Sequence, residues 1–206
     1  IVAGNWKMNT TPDSGAQLAR EIVAAGLPYA DVDVVLCPPV IGIAAVAGVV
    51  AGTPIRVGVQ NTHWEDAGAF TGEVSPPMLQ GVVGYVIVGH SERRAMFGET
   101  DEIVRRKVAA VVAHDLTPIM CLGESLAQRD AGDTEAVITA QAAAGLAGLT
   151  DAQVARLIVA YEPIWAIGTG RNATTQQAVE AVSWIRERIQ HEFGEAAAGA
   201  VRIQYG

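Results

Sequence analysis

The sequence predicts a parallel α/β protein, on three observations. Seven short apolar runs rich in β-branched residues recur along the chain, at 1–3, 32–37, 55–59, 85–88, 118–122, 157–161 and 201–205. They do not alternate apolar with polar residues, which marks strands covered on both faces, as in parallel sheets with helices outside. Longer helix-period segments lie between them, and successive runs start about 20 to 45 residues apart, the size of a βα unit.

Each element has a local reason. The first run leads directly into Asn5 and Lys7, and the second closes on Cys37. The apolar stretch 40–52 that follows is shorter than the ~18 residues of a membrane span and rich in Ala and Gly, so it reads as a packed core helix. The third run ends before Gln60 and Asn61. Ser75 ahead of Pro76 places an N-cap before a proline at the first helical position. The fourth run leads to His90, and a later helix gathers Val104, Val108 and Val111 on one face. The fifth run holds Cys121 and precedes Glu124, and the sixth precedes Glu162. Thr174 and Gln177 have capping-box spacing, with Ala178, Val182, Ile185 and Ile189 as the apolar face beyond.

Seven strands and six connecting helical segments fit one continuous pattern without a linker. An open doubly wound sheet and a (β/α)8 barrel both accommodate it, and periodicity does not choose between them. For a barrel the count is one strand short, and complete barrels typically run to about 250 residues.

Composition narrows the class of function. Half of the 206 residues are apolar and 17% are charged, which excludes a disordered chain. A chain of this length buries roughly 70% of its unfolded surface, enough to fold without metal or disulfide. The formal net charge of −8 comes without a basic stripe, against binding to nucleic acid or an anionic membrane. Cys37 and Cys121 each sit inside an apolar run, as buried thiols of a reducing compartment do. With no signal-peptide pattern, a soluble, cytoplasmic protein is expected.

Polar and ionisable groups collect just after the apolar runs: Asn5, Lys7, Gln60, Asn61, His90, Glu124 and Glu162. In a parallel sheet all of these lie at the C-terminal edge, where α/β enzymes keep their sites. Glu162 opens the stretch Glu162-Pro163-Ile164-Trp165-Ala166-Ile167-Gly168-Thr169-Gly170. A rigid base, two large apolar groups and a glycine tip have the composition of a lid, and excluding water strengthens a carboxylate as a base. The bland reading is a surface loop with a tight turn, on which Trp165 and Ile167 would be costly. His90 ends a strand and opens a helix, where backbone N–H groups favour a neutral imidazole over a charged one. Taken alone it reads as a capping histidine. Lys7 is either a Schiff-base nucleophile or a fixed cation for an anionic substrate, with the Asn5 amide beside it.

These segments resemble a known family. Asn5-Trp6-Lys7-Met8-Asn9, the run 89–94, Tyr161 through Gly170, Gly68-Ala69-Phe70-Thr71-Gly72-Glu73 and Cys121-Leu122-Gly123-Glu124 are similar to the signature segments of the triosephosphate isomerases, in the family's order, across the chain from Ile1 to Gly206. The resemblance implies an α/β fold of the (β/α)8 TIM-barrel class. It also implies interconversion of dihydroxyacetone phosphate and D-glyceraldehyde 3-phosphate without a cofactor or metal.

Carried over segment by segment, the resemblance makes Glu162 the base, His90 the neutral electrophile, and Lys7 and Asn5 donors to the oxyanion and phosphate. Gly168 becomes a backbone donor to the phosphate, in a lid over 163–173. Ser91 is its substrate-side neighbour, Glu92 the acidic partner of the lysine, and Trp165 and Cys121 supporting residues. The loop with Thr71 at its contact point implies a homodimer, and Phe70 at the loop's tip argues for burial against a partner rather than for the long exposed loop of a monomer. The family's last βα units have no counterpart in the sequence. The expectation is one (β/α) barrel domain over 1–206 lacking those units, and the alternative is a catalytically silent barrel fragment or scaffold subunit. A different phosphosugar isomerase or aldolase, with Lys7 as a Schiff base, is the other rival.

Overall fold

In a computed structural model the described residues are 1–26 and 31–206. Seven strands alternate with helices: β1 (Val2–Asn5), α1 (Pro12–Ala24), β2 (Val34–Cys37), a 3-10 turn (Val40–Gly42), α2 (Ile43–Val50), β3 (Arg56–Val59), α3 (Pro76–Leu79), β4 (Tyr85–Val88), α4 (Ser91–Phe97), α5 (Asp101–Ala113) and β5 (Thr117–Leu122). There follow α6 (Leu126–Asp130), α7 (Thr134–Leu146), α8 (Asp151–Val154), β6 (Ile158–Tyr161), α9 (Thr175–Ala200, broken at Gly194) and β7 (Arg202–Tyr205). Every apolar run became a strand, with no end moved by more than two residues. All six connections are helical, but among the described residues they hold nine α-helices rather than one each.

The chain forms two compact units. The first is Ile1–Ile87 with Ala110–Pro118, and the second is Val88–Ala109 with Ile119–Gly206. In the first, β1 pairs parallel with β2, β2 with β3, and β3 with β4. In the second, β5 pairs parallel with β6 in the register Leu122↔Tyr161, and β6 with β7. Within each unit every strand's neighbour is the next strand in sequence. A doubly wound sheet keeps the same order on either side of its switch point, so the order within each unit fits both alternatives.

Burial explains the patterning. In the first unit Val35, Cys37, Val57, Val59 and Val86 of the strands are buried with Ala19 of α1 and Val46 of α2. In the second, Ile119, Leu122, Ile158 and Tyr161 are buried with Ile138 of α7 and Ile185 and Ile189 of α9. Val104 and Val108, on the face expected for α5, are fully buried, as is Val111. Three local expectations are modified. Ala181, not Ala178 or Val182, completes the buried face of α9. The core helix begins only at Ile43, and Val40 and Ile41 are exposed. Ser75 adopts N-cap backbone geometry, but its hydroxyl makes no cap hydrogen bond to the four-residue α3. Thr174 and Gln177 do form the capping box.

Candidate active site

In the second unit ionisable side chains gather at the ends of β4, β5 and β6. β4 runs into Gly89, whose φ of +70° turns the chain, and His90 becomes the N-cap of α4. The His90 Nδ1 accepts the Glu92 N–H at 3.2 Å. An accepting Nδ1 leaves the ring proton on Nε2. That Nε2 lies 2.9 Å from Glu162 Oε1. The other carboxylate oxygen, Oε2, accepts the Ser91 N–H at 2.9 Å. His90, Ser91 and Glu162 are all buried. Of the residues expected at the site, the structure therefore joins Glu162, His90, Ser91 and Glu92.

Glu162 is placed by the backbone. It follows β6 directly, and its own N–H donates to the Leu122 carbonyl at 2.8 Å, extending the β5–β6 ladder by one residue. Gly123 allows this approach, because a Cβ there would stand 1.8 Å from the Glu162 carbonyl oxygen. Gln141 from α7 holds Gly123 by both of its backbone groups, accepting from the Gly123 N–H at 2.8 Å and donating to the Gly123 carbonyl at 3.2 Å.

The segment after Glu162 is pinned at its base. Glu124 is fully buried and accepts from Trp165 Nε1 at 2.8 Å, from the Tyr161 hydroxyl at 3.1 Å and from Arg129 Nη1 at 2.9 Å. The Arg129 guanidinium also lies over the Trp165 ring, 4.6 Å from its centroid. Burial, then the charge of Glu124 and its hydrogen bond, hold the Tyr161 phenol well above its ordinary value. Trp165 is buried, whereas Gly168, Thr169 and Gly170 are exposed, both glycines with positive φ. The segment is thus held at its base and exposed at its glycine tip. Cys121, on β5, is buried and pairs across to Ala160.

In the first unit Asn5 ends β1 and Lys7 follows with a φ of +53°, a region non-glycine residues seldom adopt. The Lys7 N–H donates to Asn5 Oδ1 at 3.0 Å, and the Lys7 carbonyl accepts Gln60 Nε2 at 2.9 Å. The same Gln60 nitrogen donates to the Cys37 carbonyl at 2.9 Å. Gln60 therefore locks the Lys7 backbone from 53 residues away, a role its position after β3 did not announce. Burial pushes the Cys37 thiol up to about 12.

Thr71 lies in an exposed loop of the same unit. The loop is closed at its ends by His63 N–H and Thr62 Oγ1, both donating to the Val74 carbonyl at 2.7 and 2.9 Å. His63 stacks on Trp64 and meets Phe70, which is 42% exposed despite that contact. Among the described residues no group of His, Cys, Asp and Glu could hold a metal ion, and no helix is long and apolar enough to cross a membrane.

Parallel strands with a carboxylate and an imidazole paired at their ends define an α/β protein with a candidate acid–base site. Comparison with known proteins narrows this. The family model described as triosephosphate isomerase matches residues 1–206. The chain is 50% identical to the triosephosphate isomerase of Clostridium novyi (strain NT), over all of this chain and 82% of that protein. It is 51% identical to that of Clostridium perfringens (strain SM101 / Type A) and 47% identical to that of Caldanaerobacter subterraneus subsp. tengcongensis, each over all of this chain and 83% of the relative. The chain belongs to the triosephosphate isomerase family. It is an isomerase of the (β/α)8 TIM-barrel fold class.

Proposed function

We propose that the protein interconverts dihydroxyacetone phosphate and D-glyceraldehyde 3-phosphate, with Glu162 moving one proton between C1 and C2 through an enediolate. The observation that carries this reading is the pairing of His90 Nε2 with Glu162 Oε1 at 2.9 Å. Together they provide a base and a hydrogen-bond donor for the two halves of an enolisation.

The proton removed lies next to a carbonyl and is weakly acidic, so the developing oxyanion needs fixed donors rather than solvent. His90 supplies one from Nε2, because its Nδ1 is occupied by the Glu92 N–H. When the substrate oxygen takes that donor, the Glu162 carboxylate loses one of its two hydrogen bonds and is released to take the proton. The proton returns at the neighbouring carbon and the enediolate collapses to the isomer, so no electron acceptor or cofactor enters. Lys7 and Asn5 contribute positive charge and an amide to the oxyanion and phosphate, Glu92 serves as the lysine's acidic partner, and Ser91 lines the site. The segment 163–173 is the lid, with the Gly168 N–H toward the phosphate. Trp165 is its anchor, and Cys121 supports the strand beside the base. A closed lid excludes water and protects the enediolate from losing phosphate.

The reading extends to a cytoplasmic homodimer on one barrel domain. The loop bearing Thr71 is its contact, supported by the exposure of Phe70. Two buried thiols suit a reducing compartment.

Isomerisation of D-glyceraldehyde 3-phosphate by the purified protein, followed by coupled reduction of dihydroxyacetone phosphate, tests the reading. Turnover with one solvent deuteron incorporated per product molecule in D2O is expected. Absence of turnover at high protein concentration favours the silent scaffold. Borohydride trapping of substrate on Lys7 favours the aldolase.

A further inference from the structure

Arg94 has no part in the proton transfer, yet its side chain reaches back from α4 to the end of the strand that delivers His90. Its Nε donates to the Gly89 carbonyl at 2.8 Å and its Nη1 to Asp101 Oδ1 at 2.6 Å. Its Nη2 reaches the Cys121 carbonyl at 3.4 Å, the weakest of the three. The acceptors belong to the turn after β4, the start of α5 and the strand β5. The side chain is only 15% exposed. A Cβ at Gly89 would lie 2.8 Å from Val104 and 3.2 Å from Arg94 Nη2, so the two side chains close over a bare α-carbon.

Gly89 is the joint between β4 and His90, and glycine is the residue that restrains a joint least. The peptide that joins it to His90 is planar, so the direction of the Gly89 carbonyl sets the direction in which His90 leaves the strand. We propose that Arg94 is a positioning residue for the reaction. By holding the Gly89 carbonyl against β5 and α5, it keeps His90 Nε2 in register with the Glu162 carboxylate. β5 is the relevant frame, because the β5–β6 ladder carries Glu162. A planar fork can hold three acceptors at fixed angles, and a lysine ammonium cannot. The proposal rests on the reading of His90 and Glu162 given above.

The test is a double-mutant cycle on kcat for D-glyceraldehyde 3-phosphate, with Arg94→Lys, His90→Ala and their combination. Misplacement of a reacting group by about 1 Å costs up to roughly 100-fold. Arg94→Lys should therefore lower kcat on the order of tenfold with KM little changed. In the His90→Ala background the same substitution should change kcat by less than about twofold, since the group it positions is gone. Asp101→Asn, at a half-exposed site that touches the fork through one oxygen, provides a folded second variant and should show a smaller loss with the same dependence on His90.

Unchanged kcat in both Arg94→Lys and Asp101→Asn, or losses that simply multiply with that of His90→Ala, would overturn the proposal. An Arg94→Lys protein that melts earlier but turns over normally would do the same. Wild-type kcat in His90→Ala alone would instead remove the reading of His90, so the two failures are distinguished by one variant.

Discussion

His90 Nε2 and Glu162 Oε1 lie 2.9 Å apart, and the proton between them belongs to the imidazole because the Glu92 N–H occupies Nδ1. The carboxylate and the imidazole are thus in contact within one unit, although 72 residues separate them in the chain. Glu162→Gln keeps the shape and an acceptor oxygen for the Ser91 N–H, but it cannot take a proton from carbon. Its kcat should fall by at least about 100-fold, the low end of general-base contributions, with stability changed by less than about 1 kcal/mol. Coupled turnover and a urea melt measure both. Near-normal turnover removes Glu162 as the base.

Gly123 lies just past β5, and any side chain there collides with the Glu162 carbonyl. Gly123→Ala should destabilise the protein by about 1–3 kcal/mol, the usual cost of overpacking, and lower kcat through the displaced carboxylate. Denaturant midpoint and kcat are the readouts, and an unchanged midpoint would contradict the close packing.

Tyr161 predicts an alkaline signature. Burial first, and then the Glu124 carboxylate, keep its phenol protonated above the ordinary value of 10. The unfolded chain ionises there and the folded one does not. The stabilisation is therefore fully present below about pH 10 and lost as pH rises toward the folded value. Tyr161→Phe should be less stable near neutrality by about 1 kcal/mol for the lost hydrogen bond. Its decline in urea midpoint above pH 10 should be shallower than that of the wild type, and parallel declines would contradict the assignment.

Glu99 gives the acid counterpart. Burial pushes its carboxyl up, but the hydrogen bonds and charges of Lys107 and Arg93, each 2.5 Å from Oε1, overcome this and leave it below the ordinary 4.5. Its contribution is therefore present above about pH 4.5 and lost as pH falls through the folded value. Glu99→Gln leaves the buried Lys107 without its carboxylate and should cost about 3–5 kcal/mol at pH 7. That penalty should shrink only in acid, and urea midpoints at pH 7 and pH 4 test it. A penalty independent of pH would mean that packing, not charge, holds the cluster.

The order of residues alone determined the strands, the helical connections and the strand ends at which polar and ionisable groups collect. Runs such as Tyr85–Val88 and Ile158–Tyr161 are apolar and β-branched throughout, and that is a property of the residues themselves. The capping box of Thr174 and Gln177 formed for the same reason, since its partners are three residues apart. Local reading failed where the fold left a group without the surroundings its sequence position called for. Ser75 has a capping residue's position without a capping bond, and the exposed Val40 and Ile41 belong to a run that reads as core.

Only the tertiary structure showed that each strand pairs with the next in sequence within its unit, and the family match then chose the barrel class over a doubly wound sheet with identical periodicity. It alone joined Tyr161 and Trp165 to Glu124, Gln60 to the strained backbone of Lys7, and Arg94 to the Gly89 carbonyl. The physical reason is range. Hydrophobic patterning and capping act between residues a few positions apart and are written in their order. A hydrogen bond such as that from Ser91 to Glu162, 71 residues away, exists only once packed strands have carried both groups to the same edge.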